Sequence, residues 1–288
     1  AIRAGDARCV VAGGMESMSN APYLLYGARG GIKAGEQTLV DGMIRDGLWC
    51  AFEGHHMGHS AEYTAQKSCI TRKAQDAFAL ASHEKALAAT EAGAFDDELV
   101  PLDAKDGPIE RDETPRADTS LEKLAKLRPA FTPEGTVTAG NAPGLNDGAS
   151  ALLLMSAETA QAHGLKPLAR VAGYAAAGTE AIELFYAPVH STRKLLGQLE
   201  MTVDDFDLIE VNEAFAAQVL ADGQELDWDW DRVNVHGGAI ALGHPIGCSG
   251  ARILTTLAWA LRHRDQRWGL ATICMGGGNG LSLAIERV

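Results

Sequence analysis

The run Phe206-Asp207-Leu208-Ile209-Glu210-Val211-Asn212-Glu213-Ala214-Phe215 decides the fold. A strand-like apolar stretch ends abruptly on an Asn-Glu pair, and apolar residues then continue at helical spacing from Ala214 to Leu220. A strand feeding directly into a helix is the unit of layered α/β architecture. The alternation extends on both sides. Ser249 to Arg262 has a helical period, and Gly269 to Cys274 and Leu281 to Ile285 read as strands. Upstream, Leu168 to Tyr174 reads as a strand and Val189 to Leu199 as a helix. Gly148 to Met155 is a core element, followed by a helix that Ser156 caps, that runs to His163 and that Gly164 stops. Cys9-Val10-Val11-Ala12, closed by Gly13-Gly14, reads as a buried strand.

Between Ser19 and Pro133 the composition changes: Gly, Pro and charge rise and the helical patterns shorten. The clearest helix there opens at Thr71, a plausible N-cap, takes an apolar face from Phe78, Leu80, Ala81 and Leu87, and ends at Gly93. A long excursion between core elements reads as a lid or loop domain that carries binding contacts. The Gly-rich strand ends at Val10 to Ser17 and Thr272 to Gly280 hint at two similar lobes.

The chain has 288 residues, 46% hydrophobic and 22% charged, enough for a sizeable core in two or three lobes. No apolar run is long enough to span a membrane, and Ala1 to Asp6 lack the features of a signal peptide. The chain does not open on Met, which reads as a fragment or a processed product. The formal charge of −13 argues against broad nucleic-acid binding, while leaving room for a phosphorylated small ligand in a local basic pocket. Five scattered cysteines without a CxxC fit a reducing, cytoplasmic compartment.

Three polar groups sit among residues small enough for close substrate approach. His244, between Gly243 and Pro245, falls on a tight loop before a helix; its imidazole can move a proton or donate to an oxyanion, against the alternative of a structural His. Cys274 ends a strand and precedes three glycines. Either it is an inert buried thiol, or the following N–H groups form an oxyanion nest and favour a thiolate able to act as a base. Asn212 either caps the following helix or offers its amide to a catalytic water or a developing negative charge. His55, His56 and His59 cluster, but their spacing matches no standard metal set, and no metal is expected. The glycines at 276–280 form neither a phosphate loop nor a dinucleotide fingerprint. Trp228-Asp229-Trp230 reads as packing or surface.

These residues resemble the thiolases, and within them the biosynthetic acetyl-CoA acetyltransferases. Val11-Ala12-Gly13-Gly14-Met15-Glu16-Ser17-Met18-Ser19, His56-Met57-Gly58, Leu127-Arg128-Pro129-Ala130-Phe131 and Gly144-Leu145-Asn146-Asp147-Gly148-Ala149 join the three chemical motifs to carry the resemblance along nearly the whole chain. It implies a thiolase-like α/β fold of two layered αβα half-domains, the first incomplete, with an inserted loop domain. The expected boundaries are 1–21 and 136–165 for the first half-domain, 22–135 for the CoA-binding insertion and 166–288 for the second half-domain. The implied reaction condenses two acetyl-CoA to acetoacetyl-CoA and CoA, or runs in reverse, through an acyl-cysteine. His244 then matches the residue that activates the nucleophile, Cys274 the general base and acid, Asn212 the holder of an oxyanion-hole water, and Gly276 N–H part of a second hole. Met57, Arg116, Phe131, Ala139, Ala142, Pro143, Ala214 and Phe215 match positions along bound CoA, with Arg116 near its phosphates and Met57 near the acyl end. Coenzyme A is part of the substrate, so no separate cofactor is implied. Gly30 to Gly35 resembles a loop of tetrameric members, so a homo-oligomer, dimer or tetramer, is the expected assembly.

Three departures qualify the resemblance. The family's nucleophilic cysteine precedes the segment matched by Gly13 to Ser17, on a helix start that would lie before residue 1, and Cys9 is misplaced to replace it. Its missing N-terminal segment is therefore an expected partner. Pro143 stands where a Ser usually bonds the pantetheine, and Pro has neither hydroxyl nor N–H. Leu184-Phe185-Tyr186-Ala187-Pro188 replaces a smaller, Gly-rich segment, which reshapes the acyl pocket. Two other functions remain open: a 3-ketoacyl-CoA thiolase of broader chain length, and a non-catalytic thiolase-like subunit that binds acyl-CoA.

Overall fold

A computed structural model describes residues 1–105 and 107–288. Its centre is a four-stranded sheet in the order Leu208–Val211, Trp268–Met275, Asn279–Arg287, Ala169–Gly178. The first pair is parallel and the other two are antiparallel. Period-two alternation sends neighbouring side chains to opposite faces. Ile209, Leu270 and Ala284 enter one core cluster, and their neighbours Leu208, Ala271 and Ile285 enter another. Helices Ala187–Leu199 and Ala216–Leu226 complete the first cluster, through Val189, Leu195, Val219 and Leu226. Helix Ser249–His263 completes the second with Ile253, Leu257 and Leu261, at a four-residue spacing and almost fully buried. Each such side chain contributes about 1.5–3 kcal/mol of burial.

The same helix also packs on a two-stranded ribbon, Cys9–Ser17 paired antiparallel with Asp147–Met155. The ribbon therefore forms a further layer, and Ser150 Oγ lies 3.2 Å from Thr255 Oγ1 on the helix. It corrects the expectation of a buried strand: Val11 is 72% exposed, Met15 72% and Leu153 60%. With only two strands and one covering helix, the residues of its other face have nothing to pack on among the described residues. The strand also runs through Gly13-Gly14 rather than closing there. A Cβ on Gly13 would strike the Ser150 carbonyl oxygen and one on Gly14 that of Gly247, so both positions allow close backbone approach. The glycines at 276–278 instead form the turn between two antiparallel strands, so the two Gly-rich segments are not conformational equivalents.

Between Ser19 and Pro133 the helical pieces are not all short. Arg72–Glu91, capped by Thr71 Oγ1 on Ala74 N as its sequence signals, is the longest helix among the described residues. It packs on helix Ala216–Leu226 and on the short helix Ala239–Leu242, next to the chemical motifs. No helix of the described residues is long and apolar enough to cross a membrane.

Candidate active site

The parallel strands Leu208–Val211 and Trp268–Met275 end side by side. Val211 pairs with Thr272, and Asn212 N donates to Thr272 O at 3.0 Å. Asn212 and Cys274 therefore share the carboxyl end of the sheet, where open α/β sheets place their ligands. Asn212 does not cap the following helix. That helix starts at Ala216, whose N–H goes to Asn141 O, while Ala214 N–H goes to Gln218 Oε1. The Asn212 side chain is buried and turns to His244, with Nδ2 at 3.3 Å from Nε2, and its Oδ1 has no partner among the described residues.

His244 follows Gly243, whose φ of +97° favours glycine. Its backbone N–H donates to Asn146 Oδ1 at 3.1 Å, and its Nδ1 lies 2.6 Å from Ser249 Oγ. Burial, with a smaller contribution from the Arg252 guanidinium, lowers its pKa to about 4, so the imidazole is neutral near pH 7. A neutral ring can take a proton, which is the state a base needs.

Glu213 is almost fully buried and ties the loop before His244 in place. It accepts from Asn234 Nδ2, from Ser82 Oγ on helix Arg72–Glu91 and from Ile240 N, at 2.8–2.9 Å. Gly238 has no room for a Cβ because the Glu213 carboxylate occupies that space.

Cys274 packs in a cluster with Leu184, Phe185 and Ala214, flanked by Met57, Phe131, Ala142 and Phe215. A continuous aromatic wall runs through it. Phe131 stacks on His56 at 4.7 Å and meets Phe215 edge-on at 6.1 Å, and Phe215 meets Phe185 edge-on at 5.3 Å. Gly58 makes this possible, since a Cβ there would sit inside the Phe131 ring. Gly276 lies against Met57, whose Cε is 3.3 Å from where its Cβ would stand. Of the two readings of Cys274, the structure favours a protonated thiol at rest: burial pushes it up to about 12. The Asp222 carboxylate adds to the shift only when ionised, and burial keeps Asp222 protonated well above the usual carboxylate range. Desolvation therefore dominates, and the thiol holds its proton.

Two family models match the chain in tandem: "Thiolase, N-terminal domain" over residues 1–158 and "Thiolase, C-terminal domain" over residues 165–287. The chain belongs to the thiolase family. An acetyl-CoA acetyltransferase of Pseudomonas aeruginosa is 55% identical over 292 residues, covering 100% of this thiolase chain and 74% of the relative. The crystal structure of the Bacillus anthracis acetyl-CoA acetyltransferase matches with a TM-score of 0.93 and 45% identity over 100% of this chain and 74% of that one. Human mitochondrial 3-ketoacyl-CoA thiolase, solved in complex with CoA, matches with a TM-score of 0.96 and 40% identity over 99% of this chain and 72% of that one.

The thiolase fold thus brings Asn212 to His244, and gathers Met57, Phe131, Ala142, Ala214 and Phe215 around Cys274. Ala139 and Pro143 lie on the adjoining turn, Ala139 exposed and Pro143 half-buried. Arg116 is exposed on the excursion, where its N–H donates to His83 Nδ1 at 3.1 Å. His56 Nδ1 caps helix Met57–Lys67 by accepting from Gly58 N, and His55 Nε2 lies 3.1 Å from Ser60 Oγ. Those contacts occupy two of the three clustered imidazoles, and no group of three or more metal-ligating side chains is arranged to hold an ion among the described residues. Reasoning from the motifs assigned no role to Ser249, Asn146 or Glu213. Ser249, five residues after His244 at a helix start, has a local signal; Asn146 is distant in the chain and has none.

Proposed function

We propose that this thiolase is an acetyl-CoA acetyltransferase, condensing two acetyl-CoA to acetoacetyl-CoA and CoA or catalysing the reverse thiolysis. The observation that carries this reading is the Asn212–His244 pair beside the buried Cys274 thiol at one sheet end. The similarity to proteins named acetyl-CoA acetyltransferase supports the acyl group.

In the proposed sequence, His244 accepts the proton of a nucleophilic cysteine as that sulfur attacks the thioester carbonyl. Collapse of the tetrahedral adduct expels CoA thiolate, which takes the Cys274 proton. The Cys274 thiolate is then a strong base, because its pKa of about 12 belongs to a group reluctant to stay charged. It removes a carbon-bound proton from the second acetyl-CoA, and the resulting carbanion attacks the acyl-enzyme carbonyl. Collapse of that adduct releases acetoacetyl-CoA and expels the nucleophilic cysteine as a thiolate, which takes back the proton held on His244. The Asn212 amide, through a water, His244 and the Gly276 N–H stabilise the oxyanions.

The acyl-bearing cysteine is not among the five free thiols of this chain. Cys9 begins the exposed ribbon, Cys50 pairs opposite His55, Cys69 follows helix Met57–Lys67 in an exposed turn, and Cys248 is buried facing Gly148. It belongs to an N-terminal segment that completes the site. Arg116, one of several exposed cations of the excursion, binds the CoA phosphates, and Ala139, Ala142 and Pro143 line the pantetheine path. The working assembly is a cytoplasmic homo-oligomer of two or four copies acting in acyl-CoA metabolism.

Acetoacetyl-CoA thiolysis is to be assayed for the chain alone and with the N-terminal segment restored. Activity is expected only on restoration, and its absence there overturns the proposal. The match to human 3-ketoacyl-CoA thiolase favours, as a second reading, longer acyl chains; a higher rate on 3-ketooctanoyl-CoA than on acetoacetyl-CoA would select it. Pro143 and the Phe185-Tyr186 pair motivate a third, a non-catalytic acyl-CoA-binding subunit, and a covalent acetyl adduct in the restored enzyme rules that out.

A further inference from the structure

Helix Arg72–Glu91, helix Ala216–Leu226 and the segment through Trp230 line a solvent-open cavity of ≈ 300 Å³ that the reaction does not use. Its walls are apolar: Phe78, Ala81, Leu220 and Trp230. Trp230 is held in place. Its indole lies over Gly223, where any side chain would collide with the ring, and it meets Phe78 and Trp228 edge-on at 6.0 and 6.1 Å.

Four polar side chains reach the cavity, and three are committed elsewhere. Asn234 bonds Val211 N, Val211 O and Glu213; Ser82 bonds Glu213 and Gly238 N; Glu213 accepts from Asn234, Ser82 and Ile240 N. Lys85 is the exception. Its Nζ donates to Val233 O at 2.9 Å, its one hydrogen bond among the described residues, which leaves two N–H donors. Burial depresses its pKa against the opposing pull of the Glu213, Glu210 and Asp231 carboxylates, and a directly bonded anion would raise it further. One cation against apolar and aromatic walls selects a singly charged, largely apolar anion; a phosphate dianion would demand more donors.

We propose that this cavity binds an apolar monocarboxylate, with its hydrocarbon body against the wall of Phe78, Ala81, Leu220 and Trp230 and its carboxylate on Lys85 Nζ.

Octanoate and octanol, titrated into the purified protein with tryptophan fluorescence as the readout, test the assignment. Octanoate should bind saturably, with octanol at least about tenfold weaker, since a charge-assisted hydrogen bond to a half-buried cation accounts for that much. Lys85→Gln should weaken octanoate about tenfold and leave octanol unchanged, and Lys85→Arg should restore most of the loss. Trp230→Leu should lose most of the fluorescence change. Equal binding of octanoate and octanol, an unchanged octanoate affinity in Lys85→Gln, or no saturable response overturns the proposal. Binding elsewhere, along the Phe131–Phe215 wall, gives the Lys85-independent outcome. Neither Lys85 nor Trp230 belongs to the thiolase machinery, so the result is separable from failure of the proposed reaction.

Discussion

Ser249 Oγ lies 2.6 Å from His244 Nδ1 and 3.0 Å from Pro245 O. A hydroxyl can accept from a protonated Nδ1 or donate to a bare one. With its one proton given to Pro245 O, Ser249 Oγ accepts from Nδ1–H, which leaves Nε2 bare as a base and supports the imidazolium once Nε2 has taken a proton. The ring's other nitrogen meets Asn212, so each nitrogen has one side-chain partner. We expect Ser249→Ala to fold normally and to lose about 1 kcal/mol of transition-state alignment, roughly a fivefold fall in kcat with little change in KM. Steady-state thiolysis of acetoacetyl-CoA by the completed enzyme checks this. A wild-type kcat would leave His244 held by its loop alone.

In the proposed reaction Cys274 carries the second proton transfer, and burial puts its thiol at about 12. Only the thiolate alkylates readily. Iodoacetamide modification of Cys274 should therefore be slower at pH 7–9 than that of the exposed Cys69, and keep rising with pH above that range. Peptide mass mapping of the alkylated protein separates the two. A Cys274 rate that levels off near pH 8 would contradict the raised value. Cys274→Ala should abolish carbon–carbon bond formation while leaving acylation of the upstream cysteine.

Burial also lifts Glu98 to about 7 and Glu210 to about 8, with Arg252 opposing both shifts. An unfolded Glu titrates near ~4.3. Between those values the folded chain keeps protons that the unfolded chain has released. The stability tied to these groups is therefore complete at low pH and is lost as pH rises through 7 to 8. Glu98→Gln preserves an acceptor for Thr256 Oγ1, which lies 3.1 Å from Glu98 Oε1. The variant should match the wild-type Tm near pH 5 and exceed it at pH 8.5. Thermal unfolding at the two pH values decides, and a Tm difference that does not change with pH would remove Glu98 from the account.

Phe185 is 1% exposed and sits edge-on to Phe215 in the Cys274 cluster. In the proposed reaction a large ring there limits the acyl group that fits. Phe185→Leu removes volume while keeping an apolar filling, at a stability cost of about 1–2 kcal/mol. We expect the ratio of kcat/KM for 3-ketohexanoyl-CoA to that for acetoacetyl-CoA to rise several-fold. An unchanged ratio would place the acyl group away from this wall.

Much of the site was legible because its parts are locally encoded. Thr71 and Ser156 cap the helices they precede, and Gly243 and the glycines at 276–278 mark the turns beside His244 and Cys274. What local pattern misjudged was burial. The apolar run from Cys9 is strand-forming wherever it lies, yet its outer face is exposed because coverage depends on neighbours far along the chain. Local pattern leaves Cys274 open between an inert and an activated thiol for the same reason: glycines beside a strand end say nothing of the Leu184, Phe185 and Ala214 side chains that desolvate it.

By itself, then, the sequence determined the α/β alternation, the residues able to move protons and the family they resemble, because these follow from residue type and short-range spacing. Only the tertiary structure decided that Asn212 faces His244 instead of capping a helix, that Ser249 and Asn146 hold the histidine, and that Lys85 is left with spare donors in an apolar cavity. Those outcomes depend on which distant segments meet, and on how much water their meeting excludes.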